Sequence, residues 1–408
     1  ALGNNQVQAL GIAQVGVLSS AQVAALLTSQ ATLLSSAQVK ALSTAGVSGL
    51  NSADIVAMQT SAVPALDASL SALNTAALAG LSTTQLLALS NTQIQALQPA
   101  QIFALSTAQI QALSTGQIQA LTPAQIFALG TAQIQALGVG QIQALSTTQI
   151  STLSSGQVAG LSPGQAAVLS STQVEAFSLA GIDGLGSADI AALPTAAFAA
   201  LGTGPLAALS PAAMPGLSTA QIVALGTANL QALGTAQIAG LATGQIQALT
   251  TAQIQALGTT DVQALGTNQI PALSTNQIQV LTTAEVNTLS SAQVAAMGTA
   301  QFAMLGTDQV QAFSTDGVGG LSSADLGALQ TTSAEAFTDA QIPFLPIAAL
   351  AGLSTAELSA MATDQIDALG SAQFQALGTG QIQGLGSNQV QALLTSQINA
   401  LTSAQVVA

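Results

Sequence analysis

The side chains able to do chemistry in this chain are few and of few kinds. Serine and threonine hydroxyls are abundant, but no histidine or cysteine accompanies them anywhere in the 408 residues. A hydroxyl nucleophile needs a base to take its proton, so the Ser–His–Asp arrangement is impossible here. The only amine side chain is Lys40, and there is no arginine. That leaves 15 carboxylates, which can pair for general acid–base work. Asp364 and Asp367 are the nearest such pair. Solvated surface charge is the plainer reading of both, so no catalytic residue is assigned and no enzyme is expected.

The same counts exclude other classes. Without imidazole or thiolate there is no zinc site. Acidic repeats suggest calcium, but no D-x-D-x-D-G loop occurs and the carboxylates are scattered, so no metal and no cofactor are expected. Glycine-bearing segments such as Gly138-Val139-Gly140 are repeat positions, not phosphate loops. A formal charge of −14 without arginine gives no footprint for nucleic acid or anionic lipid. Charged residues make up 4% of the chain, against about 25% in ordinary domains. Apolar residues reach 49%, yet polar ones interrupt them every few positions. No run of about 18 apolar residues forms, so membrane insertion is not expected. Nor does a charged stretch followed by an apolar one open the chain, so no signal peptide is expected in this numbering.

What positions these residues is a repeat. From Leu73 to Leu401 a large apolar residue recurs at every eighth position. It is leucine except at Phe177, Met297, Phe313, Phe337 and Met361. The same period runs from Leu2 to Leu66, and the seven-residue step from Leu66 to Leu73 is its single slip. The clearest unit is Leu105-Ser106-Thr107-Ala108-Gln109-Ile110-Gln111-Ala112. A chain of this kind is a one-dimensional stack in which each unit needs its neighbours. Residues 1–408 are therefore expected to form one continuous solenoid, with a register break at 66–73. Degenerate zones lie near 175–217 and 313–361, and another around 58–80.

Eight residues do not suit a simple strand, because Leu105 and Ile110 have opposite parity and cannot share a sheet face. A short helix fits. Ser106 is an N-cap, Thr107 the first helical residue, and Gln109 the third, which makes a capping box. Leu105 then meets Ile110, the fourth, as a hydrophobic staple. Proline at the first helical position supports this register at Pro99, Pro123, Pro163 and Pro211. Glutamine holds the third position in 33 units, and Asp, Glu or Asn in seven more. The unit reads as about two helical turns plus one linking residue. A helix that short is unstable alone in water, so successive helices must stack, winding into a coil of roughly three or four units per turn with Leu and Ile inward. The threonine and the variable residue before Ala face water, and the Ala allows close approach of coils. The fold class is thus all-α, a repeat solenoid of short capped helices wound into a superhelical rod. Pro64, Pro215, Pro271 and Pro343 fall at the fifth helical position, where proline is costly. They keep a β-solenoid with a helical turn at each corner open as the alternative.

The run from Ser82 to Leu153, with its Leu-Ser-Thr-Ala-Gln-Ile-Gln-Ala units, resembles the octapeptide-repeat regions of very large bacterial secreted exoproteins, many of them labelled adhesin-like or haem-utilising. The resemblance implies an extracellular or cell-surface location. Haem does not carry over, since this chain offers no His, Cys or Tyr as axial ligand. The functional expectation is a structural extracellular protein that forms or belongs to a bacterial surface filament. No polar cap closes either end, so head-to-tail or lateral self-association into fibres is expected. The alternative is an adhesin stalk, or a hydroxyl array that binds a glycan or ice surface. O-linked glycans are a further expectation for the hydroxyl rows, as no Asn-x-Ser/Thr sequon occurs.

Overall fold

The computed structural model describes residues 2–407. Among them every regular element is helical and there is no strand, which sets the β-solenoid aside. The α-helices are four to six residues long. The unit that typifies the sequence folds as expected at its start. Ser106 is extended (φ −69°, ψ 161°), its hydroxyl accepts from the Gln109 N–H, and the helix runs Thr107–Ala112. Proline opens the helices Pro99–Phe103, Pro123–Ala128 and Pro163–Ala166, where its missing N–H has no partner to lose.

The helix is shorter than two turns. Leu113 is already extended (φ −60°, ψ 138°), so the link is two residues, the leucine and the next cap. The reason is local. The Leu113 N–H bonds the Ile110 carbonyl at 3.2 Å, a three-residue closure that tightens the last turn and ends the helix.

The chain divides into two compact units, Ala1–Gly216 and Leu217–Ala408. The division falls at the end of the proline-rich zone 175–217. Within each unit a helix packs on the one three units further along. In the first, Pro99–Phe103 lies against Pro123–Ala128. In the second, Thr235–Ala239 lies against Thr259–Ala264. Hydrogen bonds also join residues 28 to 31 apart, so one turn of the coil takes between three and four units.

The two apolar positions of each unit form the core. Ile110 is fully buried and Leu105 is 3% exposed, and the same holds through most of both units, away from the first and last coils. Thr107 and Gln111 face solvent. The position before the leucine is where coils touch. At Gly184 a Cβ would collide with the Ser155 carbonyl, and at Gly320 with that of Ser291. Glycine there lets neighbouring turns close to backbone contact.

The departures from the pattern have visible consequences. Pro64, Pro215, Pro271 and Pro343 all lie in 3-10 segments: Val63–Ala72, Pro211–Gly216, Ile270–Ala272 and Ile342–Phe344. A proline at the fifth position cannot donate to the first helical carbonyl, so the turn closes through three-residue bonds instead. Ala272 N–H to Gln269 is one, at 3.0 Å. The missing residue between Leu66 and Leu73 is absorbed at Asp67, whose φ of 47° and ψ of −128° are strained for a side chain with a Cβ. A second local exception is Leu225. It is helical (φ −56°, ψ −35°) where other leucines are extended, and Gly226 turns the chain with φ 70°.

Candidate functional site

The repeated joint between coils is the one place where the same functional groups meet again and again. It is built on the third helical residue, usually glutamine. Gln141 shows its geometry. Its Oε1 accepts the N–H of the cap residue Gly138 at 2.8 Å. Its Nε2 turns the other way and donates to the preceding coil, at 3.0 Å to the Ile110 carbonyl and 2.7 Å to that of Leu113. The orientation of the amide is forced. An N–H on one side demands oxygen, and two carbonyls on the other demand nitrogen. Gln277 repeats this in the second unit, taking the Ser274 N–H at 2.7 Å and reaching Ile246 at 3.0 Å and Leu249 at 2.7 Å.

The glutamine thus bridges two helix ends at once: an orphan donor at its own helix N-terminus and carbonyl acceptors at the C-terminus of a helix one coil earlier. Both amides are buried, where an unmade hydrogen bond costs most. Ser333 occupies the same position with a shorter side chain, and its hydroxyl still donates to the Leu305 carbonyl at 2.8 Å. At Gly181 no side chain intervenes, and the Leu153 carbonyl comes within 2.8 Å of where a Cβ would stand.

Carboxylates replace the amide at Asp54, Asp189, Asp261, Glu285, Asp325 and Glu357, all of them buried. Each still accepts its cap N–H, as Glu285 does from Thr282 at 2.7 Å and Glu357 from Ser354 at 2.6 Å. An ionised carboxylate has nothing to donate to the coil behind it. Oδ1 of Asp54 is buried without a hydrogen-bond partner. Burial pushes the carboxyl groups of Asp189 and Glu285 above their ordinary values, against the lowering effect of the cap hydrogen bonds.

A family model described as the ALTTAQ repeat matches eight segments, residues 93–123, 118–147, 198–235, 222–259, 254–291, 284–315, 348–379 and 375–408. Together they span more than half of the chain. The chain belongs to the ALTTAQ repeat family. No curated protein matches it. The geometry explains the family's signature. Residues Ala248-Leu249-Thr250-Thr251-Ala252-Gln253 spell it letter for letter. Leu249 is buried core, Thr250 is the cap whose hydroxyl accepts from Gln253, and Thr251 opens the helix. Gln253 takes the Thr250 N–H at 2.9 Å and donates to Ile222 at 2.8 Å. The ALTTAQ hexapeptide is therefore the link, the cap and the bridge of one joint.

The residues singled out for chemistry sit elsewhere. Asp364 and Asp367 lie on one short helix, Thr363–Asp367, the first exposed and the second half-buried. Asp367 keeps a buried Oδ1 with no hydrogen-bond partner. Among the described residues no three His, Cys, Asp or Glu side chains gather to hold a metal. Lys40 is exposed in the last turn of Ser36–Ala41. The hydroxyls fall into two sets. Cap hydroxyls such as that of Ser106 are engaged by the Gln109 N–H at 3.2 Å, while Thr107, Thr115, Thr131 and Thr147 at the first helical position are exposed. No helix among the described residues is long and apolar enough to cross a membrane.

Proposed function

We propose that this ALTTAQ repeat protein is a structural, non-catalytic protein of the bacterial cell surface, a solenoid that builds or belongs to an extracellular filament. The observation that carries the reading is the glutamine bridge. One buried amide at joint after joint makes most coils grip the one before, which is the property a load-bearing fibre needs. The surroundings agree. The exposed positions are mostly uncharged, chiefly Thr, Ser, Gln and Ala, so little on the surface responds to salt or pH. No thiol is present to oxidise, and the lone Lys40 leaves one cut for trypsin.

The partner is a second copy of the chain, joined head to tail. Gln30 donates to the Leu2 carbonyl at 2.6 Å. The three glutamines before it, Gln6, Gln14 and Gln22, take their cap N–H groups but are exposed, with no earlier coil among the described residues to receive their Nε2. At the far end, three more glutamines in the same register would take the carbonyls of Ile382 and Leu385, Val390 and Leu393, and Ile398 and Leu401. Val390 and Ile398, at a position fully buried in the interior coils, are about half exposed (50% and 52%). Three donors and their apolar neighbours thus match three acceptor sets in the spacing of one coil. A further coil of the same repeat fits these faces, and in the proposed joint a second copy of the chain supplies it.

The exposed threonines favour a second reading, an adhesin stalk or hydroxyl-array binder. Helices Thr107–Ala112 and Thr131–Ala136 are stacked, so their first residues line up in a column open to O-linked glycans or to a glycan or ice surface. Negative-stain electron microscopy of the purified chain decides between them. Filaments that lengthen with protein concentration support the structural reading. Monomeric particles at all concentrations, with binding to a glycan array or inhibition of ice recrystallisation, overturn it in favour of the second.

A further inference from the structure

We propose that Glu285 is a proton-operated coupler, which joins its coil to the preceding one only when its carboxyl is protonated. Glutamic acid has the shape of glutamine, and Glu285 stands where glutamine stands at most other joints. Its Oε2 accepts the Thr282 N–H at 2.7 Å, and the Thr282 hydroxyl accepts the Glu285 N–H at 3.3 Å. The capping half of the bridge is complete. In the neighbouring joints, Gln277 and Gln293 donate to the carbonyls 31 and 28 residues before them. For Glu285 those carbonyls belong to Ile254 and Leu257. In the place that Nε2 takes next door, an ionised oxygen would repel those carbonyls and a protonated one would donate to them.

Nothing nearby offsets the charge. The helix Thr259–Ala264, packed against that of Glu285, brings the buried carboxylate of Asp261. The helix Thr307–Ala312, packed on the other side, brings Asp308. The segment holding Ile254 and Leu257 has no titratable group, and residues 217–408 contain no cationic side chain. Glu285 itself is 2% exposed. Desolvation favours the neutral acid, in agreement with the upward displacement of its carboxyl. The coil joint at 254–285 therefore loosens as the pH rises through the range above an ordinary glutamate, and tightens as the pH falls.

The chain has only four glutamates, Glu175, Glu285, Glu335 and Glu357, so carboxyl-labelled glutamate resolves them by NMR. The signal lost in Glu285→Gln identifies the residue. It should titrate above the ordinary glutamate value of about 4.3. Amide exchange across 250–290, corrected for intrinsic rates, should slow roughly five- to tenfold on acidification. In Glu285→Gln, which restores the commonest residue of the repeat, the slow exchange should be present at neutral pH and unchanged by acid. Titration of Glu285 at or below the ordinary value overturns the proposal, and so does a pH response of 250–290 that survives in Glu285→Gln. Neither result depends on whether the chain forms filaments.

Discussion

The side-chain amide of Gln141 donates to the backbone carbonyl of Leu113, 28 residues earlier, across 2.7 Å. The leucine is core and the glutamine is cap, so one contact couples the packing of one coil to the start of a helix in the next. The amide is needed because the two sides of the joint ask for opposite things. Ionised glutamate can serve only the cap, and a short hydroxyl such as that of Ser333 serves only the carbonyl.

Replacement of Gln141 by glutamate tests this division of labour. The capping bond to Gly138 survives and the bonds to the preceding coil, to the carbonyls of Ile110, Gln111 and Leu113, are lost, with a charge placed near carbonyl oxygens. The joint should weaken by about 1–3 kcal/mol at neutral pH. A stack of this kind opens locally, so the measurement is hydrogen exchange of the helix Val139–Ala144, with Gln141→Ala as a reference that lacks both halves. Exchange in the glutamate variant matching the parent chain would mean the bridge contributes nothing.

Two glycines should respond in opposite directions to the same change. Gly140 lies in the helix Val139–Ala144, and a methyl group added there would meet nothing within 4 Å. Gly140→Ala should stabilise by about 0.5–1 kcal/mol through reduced backbone entropy and better helix propensity. Gly184→Ala should destabilise, because its Cβ meets the Ser155 backbone and the coils must separate to admit it. Local exchange at each site reads both.

Much of this was legible in the sequence, for physical reasons. The helix start was, because a cap, a box residue and a hydrophobic staple are local chemistry within a few residues, and Ser106, Gln109 and Leu105 with Ile110 announce it. The helix end was not. The sequence carries no stop signal before Leu113, and the two-residue link emerges from tight closure onto Ile110. Half of the glutamine's task was also hidden. The acceptor role of Gln109 follows from its distance to Ser106, but its donor role needs the Leu81 carbonyl, which only the winding of the coil brings near. One clue was present: a box filled overwhelmingly by glutamine, where an acceptor alone would admit glutamate equally well. The carboxylate pair Asp364 and Asp367 shows the converse, a spacing that suggests chemistry on a helix that gathers no third group to them.

Stability should rise on mild acidification, unlike that of most proteins. Asp189 and Glu285 have their carboxyls raised by burial. Between the ordinary and the raised value, the folded chain holds protons that the unfolded chain has lost, so unfolding free energy falls as pH rises through that window. The stabilisation is complete below the ordinary carboxylate value. Thermal unfolding followed by circular dichroism between about pH 7 and pH 4 should show a midpoint that climbs toward acid, less steeply in the double variant Asp189→Asn with Glu285→Gln. A midpoint that drops over this range refutes the sign.

End-to-end joining makes the sharpest demand on named residues. Gln6, Gln14 and Gln22 supply the donors in the proposed joint, and none of them is buried in the chain itself. Changing all three to glutamate keeps the cap acceptors, so each short helix retains its own closure. It removes the three donors and sets three negative charges against a carbonyl-lined face. Filament growth should be lost while the far-ultraviolet spectrum stays that of the parent chain. Changing Gln111, Gln119 and Gln135 in the same way alters the net charge equally, at exposed positions on the flank of the coils, and should leave end-on growth intact. Equal loss in both triples would assign the effect to charge alone and remove the glutamine register from the joint; loss confined to the first places the contact at the N-terminal face.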